Sequence, residues 1–246
     1  MATLRNTVAM DDVERRYLDA VEHGDASAYV DLADLYEDLG RAEDAERCYL
    51  AAISAGIPRA HNNYGYLLAE RMGRLADAER EFRAALAEGD VDNAHTNLAD
   101  LLRQQGRHDE AEEQLRAAVD AGRVDAHLPL ADLYEELTRY DDAERHYRAA
   151  VAVGVTGAHN NFGFLLSERL DRLDEAEEQY RLAIASGDTE EALGNLAQLL
   201  EESGRLEEAE THYRLAIAAG DDDAREYLIE LLEEQGRNTE ADRLRD

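Results

Sequence analysis

The chain has 246 residues, with 57 Asp and Glu against 26 Arg, no lysine, and a formal net charge of −31. That sign argues against nucleic-acid binding by counterion release, which needs clustered Lys and Arg, and no apolar run reaches the roughly 18 residues of a membrane span. A lone cysteine, Cys48, leaves no partner for an intramolecular disulfide.

Residues 1–10 show no signal-peptide core and are expected as a flexible N-terminal tail, which makes the cytoplasm the expected location. From Asp11 to His23, Val13, Tyr17 and Ala20 fall at helical spacing, and residues 11–25 read as a half-repeat cap. Repeating units follow, marked by Ala28, Ala60, Ala94, Ala126, Ala158, Ala192 and Ala224, at steps of 32, 34, 32, 32, 34 and 32 residues. The stretch Ala60–Asp90 returns almost residue for residue as Ala158–Asp188, 98 positions later, so the 98-residue block holds three units. The longer units, Ala60–Asn93 and Ala158–Glu191, carry one extra residue in the first helix or its turn and one at the exit.

Each unit reads as two amphipathic helices, as in Leu98, Leu101 and Leu102, then Ala111, Leu115 and Ala118. Gly-Arg separates them at residues 40–41, 73–74, 106–107, 204–205 and 236–237, while Thr138-Arg139 and Asp171-Arg172 keep only the arginine. Glycine there suits a left-handed C-cap, and the arginine is expected to reach the free carbonyls of the helix it follows. The second helix carries Glu–Arg pairs four residues apart, from Glu79 and Arg83 to Glu210 and Arg214, expected on a solvated outer face. Pro58 suits a helix start, and Pro129 is expected to shift the start of its helix or to bend the join between the two 98-residue copies. Asn238–Asp246 is a second helix cut short and is expected to fray. A hairpin of this length cannot bury its apolar face alone, so the units must stack into one core.

These residues resemble the tetratricopeptide repeat family: a Leu-Ala or aromatic-Gly pair in the first helix, then Ala, aromatic and Ala in the second. In the fifth unit they are Phe162-Gly163, Leu166, Ala176, Tyr180 and Ala183. Short acidic turns also resemble the Sel1-like relatives, whose units are longer. The resemblance implies an all-α fold, a right-handed α-solenoid of helix-turn-helix repeats. It is expected as a single array over 11–246, with about seven repeats over 26–246 and the last truncated. Two departures stand out. Tyr29, His61, His95, His127, His159, Leu193 and Arg225 replace the usual tryptophan, and the proline that often ends a unit is missing.

His61, His95, His127 and His159 recur once per unit, but first helices in a solenoid stand about 8–10 Å apart and zinc ligands must converge to roughly 2 Å. A packing role is expected for them, with no metal and no cofactor. No nucleophile–base–acid set is readable, and Cys48 has no base beside it, so the chain is not expected to be an enzyme. The implied function is a scaffold or adaptor that binds a partner peptide or helix on the concave face of the first helices. A peptide-sensing regulator and a non-catalytic subunit of an enzyme complex are the alternatives. The expected lining is Asn62, Asn63, Tyr66, Asn97, Asp100, Asp132, Asn160, Asn161, Phe164, Asn195 and Gln198. The asparagine ladder Asn63, Asn97, Asn161 and Asn195 fits either pairing with a peptide backbone or bonding between neighbouring helices. Tyr66 and Phe164, each after a glycine, are either inter-repeat core, which their spacing slightly favours, or matching apolar anchors of a groove. The family's clamp for a C-terminal carboxylate needs basic residues where this chain has Val30 and Asp34, so a neutral or basic partner segment is expected.

Overall fold

A computed structural model describes residues 2–89, 93–189 and 191–245, with side chains from residue 12 onward. Every regular element among them is helical. The cap is α1 (Ala2–Glu22). The first helices of the repeats are α2 (Ala28–Asp38), α4 (Ala60–Glu70), α6 (Ala94–Gln104), α8 (His127–Glu136), α10 (Ala158–Glu168), α12 (Ala192–Glu202) and α14 (Asp223–Glu234). The second helices are α3 (Ala42–Ser54), α5 (Leu75–Ala87), α7 (His108–Asp120), α9 (Tyr140–Ala152), α11 (Leu173–Ser186), α13 (Leu206–Ala219) and α15 (Asn238–Arg245). This is an all-α helical-repeat solenoid. Residues 2–10, expected as a tail, continue the cap helix, for no glycine or proline lies among them to stop it.

The chain divides into two compact units, residues 1–123 and 124–246, where one continuous array was expected. The division falls at the seam between the two 98-residue copies: Gly122 is the counterpart of Gly24, and Ala126 of Ala28. Within each unit the two helices of a repeat pack together, and a second helix packs on the first helix of the next repeat. Their shared core is built from the small and aromatic positions of the second helix, such as Ala143, Tyr147 and Ala150, all at most 1 % exposed. In the cap, Val13, Tyr17 and Ala20 are half-buried, as a terminal half-repeat requires.

The turn between helices is a Schellman-type cap. Gly40 has φ +68°, and the Arg41 N–H donates to the carbonyl of Tyr36, five residues back, at 2.8 Å. Thr138 and Asp171 hold the same left-handed conformation without glycine, at φ 57° and 53°. In the two longer repeats the Arg74 and Arg172 N–H groups donate six residues back, to Leu68 and Leu166, which places the first extra residue in the turn. The second extra residue, expected at the repeat exit, lies outside the described residues. Pro129 sits in the first turn of α8, where its missing N–H removes no intrahelical bond, and a 3-10 turn, Val124–Ala126, precedes the helix.

The side chain of the turn arginine does not cap carbonyls, as expected from sequence, but binds carboxylates. Arg172 donates to Glu175 at 2.7 Å and to Glu144 of the preceding repeat at 2.6 Å. Arg74 does the same with Asp77 and Glu46, Arg205 with Glu208 and Glu177, and Arg237 with Glu240 and Glu210. The reason is charge: a guanidinium beside two carboxylates gains more than it does from partially charged carbonyls. The expected i,i+4 pairs form on the same glutamates, with Arg148 on Glu144 at 2.7 Å and Arg214 on Glu210 at 2.8 Å. The cap joins this ladder, because Glu14 accepts from Tyr36 and Arg41 as Glu46 accepts from Tyr64 and Arg74.

Candidate partner-binding grooves

Each compact unit carries a groove on its first helices. In the first, an opening of about 460 Å³ is lined by Asp34, Glu37, Asp38, Tyr49, Asn62, Asn63, Tyr66, Arg71, Asn93 and Asn97. In the second, a groove of about 930 Å³ includes Asp132, Glu135, Glu136, Tyr147, Asn160, Asn161, Phe164, Arg169, Glu191 and Asn195. These two sets correspond position by position at the 98-residue offset. The second groove extends further, past Gly194 and Gln198 to Asp221, Asp222, Asp223 and Tyr227, and Arg169 is the one base among its lining residues against seven carboxylates.

The floor of each groove is a tyrosine holding two carboxylates. The Tyr147 hydroxyl lies 2.7 Å from Asp132 and 3.0 Å from Glu135, and the Tyr49 hydroxyl lies 2.6 Å from Asp34 and 2.5 Å from Glu37. Burial beside acceptors pushes both phenols far above their ordinary range, so they stay protonated, each with one proton shared between two carboxylates. Burial also raises the carboxyls of Glu135 and Glu37, and the tyrosine hydrogen bond only partly opposes it.

The asparagine ladder bonds from helix to helix. Asn161 Nδ2 donates to Asp132 at 3.1 Å, Asn195 to Asn160 at 2.9 Å, Asn97 to Asn62 at 3.0 Å, and Asn63 to Asp34 at 3.4 Å. Asn160 and Asn62 are buried, at 5 % and 8 % exposure. These helix-to-helix bonds are the second of the two roles open from sequence, and the same asparagines also line the grooves.

Tyr66 and Phe164 are not inter-repeat core. They are 49 % and 38 % exposed and face the grooves. The glycine before each explains why: a Cβ on Gly163 would stand 2.7 Å from the Tyr180 ring, and one on Gly65 would stand 2.7 Å from the Phe82 ring. The second-helix aromatic fills the seam, which leaves the first-helix aromatic outside. Asp100 is exposed and, with Asn97, lines a smaller recess on another side of Tyr66. Gln198 lies in the larger groove.

The histidine ladder packs as expected, each member against the second helix of its own repeat. His61 lies 2.7 Å from Glu81, His95 3.0 Å from Gln114, His127 2.9 Å from His146, and His159 2.8 Å from Gln179. Cys48 is buried, and that burial pushes its thiol upward, away from the reactive thiolate.

Sequence reasoning missed Glu37, Glu135, Arg71, Arg169 and Tyr227. The signal for the first four was the 98-residue offset itself, since Glu37 maps on Glu135 and Arg71 on Arg169. Tyr227 stands at the asparagine-ladder place of its repeat, three residues past Ala224, and stacks on Tyr213 at 6.1 Å.

The repeat chemistry agrees with what the chain is similar to. No curated protein matches it in sequence. A solved structure titled as the APC/C hetero-tetramer Cut9–Hcn1 matches 94 % of this chain at 16 % identity and a TM-score of 0.68, and the chain spans 48 % of that longer one. A thermophilic TPR protein of Thermus thermophilus matches 71 % of this chain and 98 % of its own, at 26 % identity and a TM-score of 0.55. The sequence profile of the tetratricopeptide repeat matches residues 30–93, 67–126, 96–160 and 164–224, and the chain belongs to that family.

Proposed function

We propose that this protein is an interaction scaffold whose grooves receive a neutral or basic segment of a partner protein. The observation that carries the reading is an exposed aromatic side chain beside carboxylates in a preformed groove, found in each unit. Large aromatic side chains supply most of the energy of a typical interface, and the surrounding acidic groups favour cationic partners and repel anionic ones. Membership of the tetratricopeptide repeat family supports a protein-interaction role in general, and such repeat proteins are generally non-catalytic. Among the described residues no helix is long and apolar enough to cross a membrane.

The test is selection from a displayed peptide library by the wild type and by the Tyr66→Ala/Phe164→Ala variant, with helicity followed by circular dichroism. Basic peptides with apolar residues should be enriched by the wild type and lost by the folded variant. Equal enrichment by both proteins would refute the anchoring role.

A further inference from the structure

We infer that the chain carries two copies of one arginine-binding site, so that two short arginine-bearing segments bind per chain. The inference rests on the groove reading above and adds both a ligand class and a stoichiometry to it.

Asp132, Glu135, Tyr147, Asn161, Phe164 and Arg169 in the second unit repeat Asp34, Glu37, Tyr49, Asn63, Tyr66 and Arg71 in the first. The hydrogen bonds repeat with them: each tyrosine holds both carboxylates, and each asparagine donates to the aspartate. A shared fold alone does not account for this. The third repeat, with the same 32-residue length and the same five-back turn, has Leu115 at the tyrosine place and Arg103 at the glutamate place, so the carboxylate pair is a property of the two grooves.

The ligand class is indicated by what the groove already holds. The Arg169 guanidinium stands 5.5 Å above the Phe164 ring centre, and its Nε lies 3.5 Å from Glu135. This arrangement shows that the aromatic face and the glutamate together accommodate a planar cation. Arg169 is one cation among seven lining carboxylates, so the groove as a whole keeps a negative charge that a further cation would meet. An incoming guanidinium can stack on the remaining ring face and pair side-on with a carboxylate, a fit that a lysine ammonium matches less well. The copies differ in degree: the second groove is larger and has Glu191 where the first has Asn93, so it should be the tighter for a cation.

The experiment is isothermal titration of the full chain, at low salt, with a capped pentapeptide holding one central arginine between two leucines. Two peptides per chain are expected. Phe164→Ala should remove the tighter site and Tyr66→Ala the weaker, each leaving one, with Phe164→Gln as a second, helix-compatible variant. Replacing the peptide arginine by neutral citrulline should weaken binding at least about tenfold, roughly 1.4 kcal/mol. One peptide per wild-type chain, with Tyr66→Ala silent, overturns the duplication and leaves the groove reading standing. Undiminished binding of the citrulline peptide overturns the arginine class. Absence of binding by this peptide and by every library-selected peptide overturns both readings.

Discussion

At the residue scale, one hydroxyl group separates grooves from plain packing. The second-helix aromatic is tyrosine wherever the first helix offers it an acceptor: Asp34 and Glu37 for Tyr49, Asp132 and Glu135 for Tyr147, Ser167 for Tyr180, and Glu201 for Tyr213. Where Ala69 and Arg103 stand at the glutamate place instead, Phe82 and Leu115 replace the tyrosine. A buried phenol without a partner costs about 1–3 kcal/mol, which explains the pattern. The glycines at 65 and 163 belong to the same logic. Helix propensity alone would favour Gly163→Ala by about 1 kcal/mol, but its Cβ would press on the Tyr180 ring at 2.7 Å, and overpacking costs about 1–3 kcal/mol. A net loss of order 1 kcal/mol is expected in urea denaturation, and a gain would show that the seam yields freely. This contact was not legible in the sequence. The glycine was visible, but whether it made room for a neighbouring repeat or for its own second helix depends on where a ring in the following helix comes to rest.

At the element scale, the ladder of turn arginines links successive second helices within each compact unit. Glu79, Glu144, Glu177 and Glu210 each sit between two guanidinium groups, and Arg237 with Arg214 holds the Glu210 carboxyl down to about 2. The folded carboxyl is thus more acidic than the unfolded one, at an ordinary value of 4.5. Its contribution is fully present above that value and is lost as pH falls through about 2. Replacing Glu210 by Gln should lower stability near neutral pH and flatten the decline between about pH 4.5 and 2, read by thermal melts across that range. An unchanged decline would mean that the ladder carries no linkage. Local chemistry made the turns and caps legible, since Gly-Arg marks a helix end wherever it occurs. The direction of the arginine was not legible, because its second carboxylate comes from about 28 residues earlier, as Glu144 does for Arg172.

At the scale of the whole molecule, repetition made the fold readable and also hid the site. Seven similar units announce a solenoid, yet only comparison of the two 98-residue copies separates groove residues such as Glu135 and Arg169 from the carboxylates and arginines found everywhere else. The net charge of −31 sets two opposing responses to salt. Screening weakens the ladder pairs, whose arginines are still partly open to solvent, and it relieves repulsion among the excess carboxylates. With 57 acids to 26 arginines the repulsion should dominate, so the melting temperature should rise between low salt and about 1 M KCl, where the screening length falls to about 3 Å. A flat profile would show the two effects in balance. The same field decides what the grooves accept. The most direct measurement is fluorescence anisotropy of a labelled basic, apolar segment and of its charge-reversed counterpart, each titrated with the full chain at low salt and at about 0.5 M salt. Binding of the basic segment alone, weakening as salt rises, is the expected result. Equal binding of the acidic counterpart would contradict it.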